Sequence, residues 1–210
     1  MRRGRVLVGL TAVLASTAVA GGVVAATQSS DEAALAPNRG APSRDVERRV
    51  ERLLRRMDID EKLQQIQLLS DGQITDTEAR KPVGGVFSLT DPDRINELQT
   101  IAVEESRLGI PILFAFDTIH GYRTIFPIPL GTASSFDPVV ASDDHRIGAM
   151  ETAAVGIKQI YSPMVDVSHE PRWGRISEAG GEDPYLNSVF AAARVKACLL
   201  YTSPSPRDRS

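Results

Sequence analysis

The chain has 210 residues, 42% hydrophobic and 24% charged, with a formal net charge of −3 at pH 7. Those proportions belong to an ordinary globular chain and exclude a fibrous or wholly disordered one. The mildly acidic balance gives no sign of a nucleic-acid partner.

At the start, Met1-Arg2-Arg3-Gly4-Arg5 is basic and the run from Val6 to Ala26 carries no charge. These are the two opening regions of a secretory signal, so residues 1–26 are read as a signal peptide. Ala18-Val19-Ala20 and Val24-Ala25-Ala26 both have the small-x-small form of a cleavage site. An uncleaved anchor is the alternative, because a run of this length can span a bilayer. Its many Ala, Gly and Thr residues favour cleavage, and no Cys follows it for lipid attachment. Export to a periplasmic or extracellular location is expected, with no stable membrane association after cleavage. Residues 27–45, mostly Ala, Pro, Ser and Gly without hydrophobic period, read as a linker.

Val46, Val50, Leu53, Leu54 and Met57 share one face at helical spacing, and Ile59, Leu63 and Ile66 continue as a second amphipathic helix. Beyond them the pattern alternates. A strand is predicted over 83–89, a helix over 91–108 and a strand over 110–116. A loop, a helix over 137–155, a strand over 159–167, a second loop and a helix over 183–197 complete the series. Continuous apolar strands alternating with helices specify an α/β fold with a parallel sheet. Asp91-Pro92, Asp137-Pro138 and Asp183-Pro184, spaced 46 residues apart, each suit a helix start. Asp caps free amides there, and Pro fits the first turn.

The only cysteine, Cys198, opens the tail. From Cys198 to Asp208 the residues agree in order with a translated transposon-end sequencing adapter, and 198–210 is read as such an artefact. The preceding chain then holds no cysteine, and cysteine counting says nothing of disulfides, metals or thiol nucleophiles.

Polar chemistry concentrates at two strand ends. Ile110 to Phe116 runs into Asp117-Thr118-Ile119-His120-Gly121-Tyr122-Arg123. The apolar run ending at Asp166 leads to Pro171-Arg172-Trp173-Gly174-Arg175, Ser177-Glu178 and Gly181-Glu182-Asp183. A β/α enzyme builds its pocket in this way, just past the strands. Asp117 is placed to accept hydrogen bonds from two neighbouring hydroxyls, or alternatively to cap a turn. The planar donor fork of Arg175 suits a bidentate grip. Glu178 is three residues on, positioned to hold that guanidinium, while Glu182 and Asp183 suit the dipole at a helix start. Arg172 and Trp173 either line the pocket or stabilise their loop, the latter being preferred, and His120 is read first as ordering its loop. His145 falls on a predicted helix surface. Three dispersed histidines and no carboxylate spacing give no metal site. Gly84-Gly85 lies inside a predicted strand, so no phosphate-binding loop is present.

With Met57-Asp58-Ile59-Asp60-Glu61-Lys62 as an opening helix, these motifs resemble glycoside hydrolase family 3 over about residues 46–197. The resemblance implies an incomplete (β/α)8 barrel of about three β/α units, since a whole barrel needs about 250 residues. Such a piece would leave strand edges open and is expected to be unstable or to aggregate. It further implies a β-glucosidase-like parent enzyme that hydrolyses terminal non-reducing β-D-glycosyl residues, glucose or a similar sugar, with retention and without a cofactor. A β-xylosidase of the same family, or a secreted noncatalytic carbohydrate-binding protein, is the alternative. Asp117, Arg123 and Arg175 match residues that bind or shape the pocket for the sugar. His120, Arg172, Trp173 and Glu178 stand around them, and His169 departs from the family's usual arginine. The partner is thus a β-glucoside or related oligosaccharide. Retention needs two carboxyl groups about 5–5.5 Å apart. The family supplies them, and a Lys-His pair, from positions beyond this chain, so no catalytic residue is assigned here.

Overall fold

Four short strands lie side by side, all parallel, in the order β1-β2-β3-β4: Leu68–Ser70, Gly85–Phe87, Leu113–Phe116 and Gln159–Ile160. The computed structural model describes residues 43–202, with side chains described as far as Leu199. The expected signal peptide, nearly all of the linker and the end of the tail lie outside the described residues.

Register explains why these residues form the sheet's centre. Val86 stands opposite Leu69 on one side and Phe114 on the other. Val86 is 0% and Phe114 1% exposed. Leu98 and Ile95 of helix α4 (Pro92–Thr100) and Ile157 close over them in one cluster. Full burial of a side chain of this size contributes about 1.5–3 kcal/mol. Gly85 fits between β1 and β3 because a Cβ there would stand 2.9 Å from the Leu113 carbonyl oxygen.

Before the sheet lie α1 (Arg44–Arg56) and α2 (Ile59–Gln65), and the short α3 (Asp76–Ala79) follows β1. α1 therefore begins inside the stretch read as linker. Asp58 and Glu61 close a reciprocal capping box on α2. Val46, Val50 and Leu54 share one face of α1 and remain 45–48% exposed. After β3 come α5 (Pro129–Ala133), α6 (Pro138–Ala154) and, beyond β4, α7 (Pro184–Thr202). α6 and α7 pack together, with Ala133, Ala141 and Phe190 in a second small core. All three predicted Asp-Pro starts are capped. Asp91 accepts from the Asp93 amide at 3.0 Å, Asp137 from Val139 at 2.9 Å and Asp183 from Tyr185 at 2.7 Å.

Several elements differ from their sequence expectation. β1 was not anticipated, because Leu68–Ser70 follows α2 without a glycine or proline to announce the change. β4 is two residues long where 159–167 was expected. Beyond Ile160 the backbone leaves the sheet, and Val165 and Val167 are 56% and 40% exposed. The helix expected over 91–108 is α-helical to Thr100 and then widens to a π-helical turn, Ile101–Glu105. Ser106 ends it by donating to the Ala102 carbonyl and accepting the Gly109 amide. α7 continues past Ala197, and Cys198 is buried at 6% exposure. The largest correction is His145. It is not on a helix surface but 4% exposed, its ring held between Asp144 and Ser162.

Candidate functional site

Parallel strands deliver their carboxyl ends to one edge. Asp117 follows β3 there, and Ser88 follows β2 with a positive φ of 68°. Tyr161 follows β4 and donates its amide to the Phe116 carbonyl at 3.0 Å, the last rung before Asp117. Aromatic contacts brace this edge. Phe116 meets Tyr122 edge-on at 5.4 Å between centroids, and Phe87 meets Tyr161 at 5.7 Å.

The Asp117 loop is tied at both ends. His120 Nδ1 lies 3.1 Å from the Phe126 carbonyl oxygen, while the Phe126 amide donates to the His120 carbonyl at 2.9 Å. Gly121, at φ 113°, is demanded by the turn, since a Cβ would stand 2.0 Å from the Thr124 carbonyl oxygen. Glu151 of α6 anchors the outer side. Its carboxylate accepts the Arg123 amide at 2.8 Å, the Thr124 amide at 2.9 Å and the Thr124 hydroxyl at 2.6 Å. The Thr124 hydroxyl first, then these amides, lower its pKa. Sequence reasoning missed Glu151; an acid on an otherwise plain helix gave no signal of the amides it would meet. Arg123 is held through its backbone, and its side chain stays exposed.

The second cluster follows β4. Arg175 donates through Nε to Glu178 Oε2 at 2.9 Å and through Nη2 at 2.5 Å, and Nη2 also lies 3.6 Å from Met164 Sδ. Its pKa is raised, first by the hydrogen bond to Glu178 and then by that residue's charge, with smaller contributions from Asp117 and Asp166. The charges of Asp117 and Asp166 are minor influences on Arg175 beside that of Glu178. Arg172 is turned elsewhere. Its Nε and Nη2 each donate to Glu170 at 2.8 Å, pulling that carboxyl down to about 2. Trp173, 37% exposed, shares a surface cavity of about 240 Å³ with Asp166, Ser168, His169 and Glu170. Asp183 serves as the cap of α7, as its bonds to the Tyr185 and Leu186 amides show.

Asp117 thus stands at the carboxyl end of β3, and the Arg175 guanidinium, held by Glu178, belongs to the loop after β4. Among the described residues no group of His, Cys, Asp and Glu is arranged to hold a metal ion. No described helix is long and apolar enough to cross a membrane.

Comparison with known proteins follows the same direction. The sequence profile of the "Glycosyl hydrolase family 3 N terminal domain" matches residues 58–199. A periplasmic beta-glucosidase of Salmonella typhimurium is 42% identical over 163 residues, which is 75% of this chain and 21% of that protein. A putative beta-xylosidase of Formosa agariphila is 30% identical over 168 residues, 68% of this chain and 22% of that one. Among solved structures, a beta-glucosidase from Listeria innocua in complex with glucose superposes with a TM-score of 0.66 at 34% identity. That match covers 72% of this chain and 23% of the other. The chain thus spans about a fifth of the length of these relatives.

Proposed function

The chain belongs to glycosyl hydrolase family 3, and from that premise we propose that the whole protein is an exported β-glucosidase acting on terminal β-D-glucosyl residues with retention. Within this chain, Asp117 accepts hydrogen bonds from sugar hydroxyls and Arg175 donates to the same sugar. Glu178 holds the Arg175 fork, and His120 keeps the Asp117 loop in place. Arg123 lies at the rim of the pocket. Arg172 and Trp173 stabilise the loop after β4 rather than gripping substrate.

The observation that carries this reading is the place of Asp117 directly after β3, at the carboxyl edge of the parallel sheet, in a loop fixed by His120 and Glu151. That edge is where barrel enzymes bind their substrates. No cofactor enters the proposal, and bond cleavage is assigned to carboxylates outside this chain. Export is supported by the basic-then-apolar start of the sequence and by the periplasmic location in the Salmonella relative's name. The Formosa relative favours xylose as the second reading.

The test is hydrolysis of 4-nitrophenyl β-D-glucopyranoside by the whole protein, with the product anomer followed by NMR. Initial release of β-glucose supports the proposal, and release of α-glucose overturns retention. Turnover of the β-xyloside alone would transfer the assignment to xylose.

A further inference from the structure

Buried polar groups need partners, and those in α6 find theirs in a direction that leads to the site. Asp144 and His145 have side chains 4% and 2% exposed, and Asp144 Oδ1 accepts from His145 Nδ1. Asp144 Oδ2 lies 3.5 Å from the Thr132 hydroxyl of α5, and the buried Arg194 of α7 stands near enough to interact with the Asp144 charge. With Nδ1 hydrogen-bonded to Asp144, the other ring nitrogen is Nε2. It meets the Ser162 hydroxyl at 2.9 Å.

Ser162 is the residue at which the chain leaves the sheet. Tyr161 still makes the rung to Phe116, and the segment after Ser162 has no regular structure until the short turn Ile176–Glu178. Met164, two residues on, touches Arg175 Nη2 through its sulfur at 3.6 Å. A continuous series of contacts therefore runs from Asp144 through His145 to Ser162, along two residues of chain to Met164, and across to Arg175.

We propose that Asp144 and His145 are positioning residues: through Ser162 they fix the start of the loop after β4 and, by way of Met164, hold Arg175 in place. The inference rests on the reading of Arg175 as a sugar-binding residue. The loop from Met164 to Trp173 is tied further on by the Ser168 amide, which donates to the Gly181 carbonyl at 3.1 Å. His145 is thereby given a task that neither its helix position nor its charge pattern announces. A buried Asp–His couple fixes the orientation of the ring, and that orientation brings Nε2 to the serine hydroxyl.

The experiment uses the whole protein, ¹⁵N-labelled at arginine, histidine and the backbone, and three variants, Ser162→Ala, Ser162→Thr and His145→Gln. The Arg175 Nε–H resonance and its exchange with water report on the guanidinium, and the imidazole nitrogen shifts report on His145. Ser162→Ala and His145→Gln are expected to speed Arg175 Nε–H exchange about tenfold or more while α6 and α7 amides keep their protection. Ser162→Thr, which retains the hydroxyl, is expected to restore the wild-type rate. An unchanged Arg175 resonance in Ser162→Ala, with shifted imidazole signals, would overturn the proposal and leave the couple purely structural. Equal acceleration throughout α6 and α7 would overturn it too, as a general loosening. Glucose added to the same samples tests the underlying reading separately. If glucose moves no Asp117 or Arg175 signal yet Arg175 still responds to Ser162→Ala, the sugar assignment fails and the positioning path stands.

Discussion

Replacing Glu151 by Ala removes the anchor of the Asp117 loop, and the cost follows from the bonds lost. The carboxylate accepts from two amides and one hydroxyl at 2.6–2.9 Å. Three hydrogen bonds to a charged acceptor at about 1.5 kcal/mol each, halved for solvent access, give about 2 kcal/mol. In a domain of this size that corresponds to a fall in Tm of about 4–8 °C. The pH dependence has a definite sign. Because the folded carboxyl titrates below its ordinary value, its stabilisation is complete above about pH 4.3 and is lost as pH falls through the folded pKa. The gap between wild type and Glu151→Ala must therefore narrow on acidification. Thermal melts at pH 7 and in acid, with amide exchange over residues 118–126, measure both effects. A variant that melts with wild type at pH 7, or a gap that widens in acid, would refute the reasoning.

Gly121→Ala should be more damaging than an ordinary glycine substitution. The backbone is at φ 113° and the added Cβ would meet the Thr124 carbonyl at 2.0 Å, so about 2 kcal/mol or more is expected, read by the same melts. Asp183→Ala strips the cap from α7 and should cost about 1 kcal/mol, with loss of amide protection at Tyr185 and Leu186. Arg172→Ala should loosen only the loop after β4 and leave the Tm of the fold nearly unchanged, since the pair with Glu170 is solvent-exposed, while the Glu170 carboxyl returns from about 2 to the ordinary range by NMR titration. Cys198, whose thiol burial pushes up to about 11, should resist alkylation at pH 8 until the protein is unfolded.

What could be read from the sequence was whatever one residue or one short pattern decides. Asp-Pro at 91, 137 and 183 marked helix starts because a cap and a fixed φ act locally. Asp117 was legible as a strand-end residue because the apolar run before it becomes β3; its role and that of Arg175 belong to the proposal. The length of β4 was not legible. Tyr161, Met164, Val165 and Val167 suit a strand by composition, but pairing ends at Ile160 and the chain turns out at Ser162. β1 was missed because three residues carry no period. His145 sits in the run Asp143-Asp144-His145-Arg146, whose charges argue for a solvent face. Only the tertiary placement of Ser162, seventeen residues on, makes the interior habitable for it. Glu151 was silent for a similar reason, its partners being backbone amides of a distant loop. Tertiary partners, not propensity, decided these cases.

The account stands or falls on the sugar-binding role of Asp117, and the direct measurement is steady-state hydrolysis of 4-nitrophenyl β-D-glucopyranoside by the whole protein and its Asp117→Ala variant. A charged acceptor serving two sugar hydroxyls contributes about 1.5–3 kcal/mol per bond, so kcat/KM should fall about 10²- to 10⁴-fold with the fold intact. An Asp117→Ala protein that turns over this substrate at the wild-type rate would contradict the account.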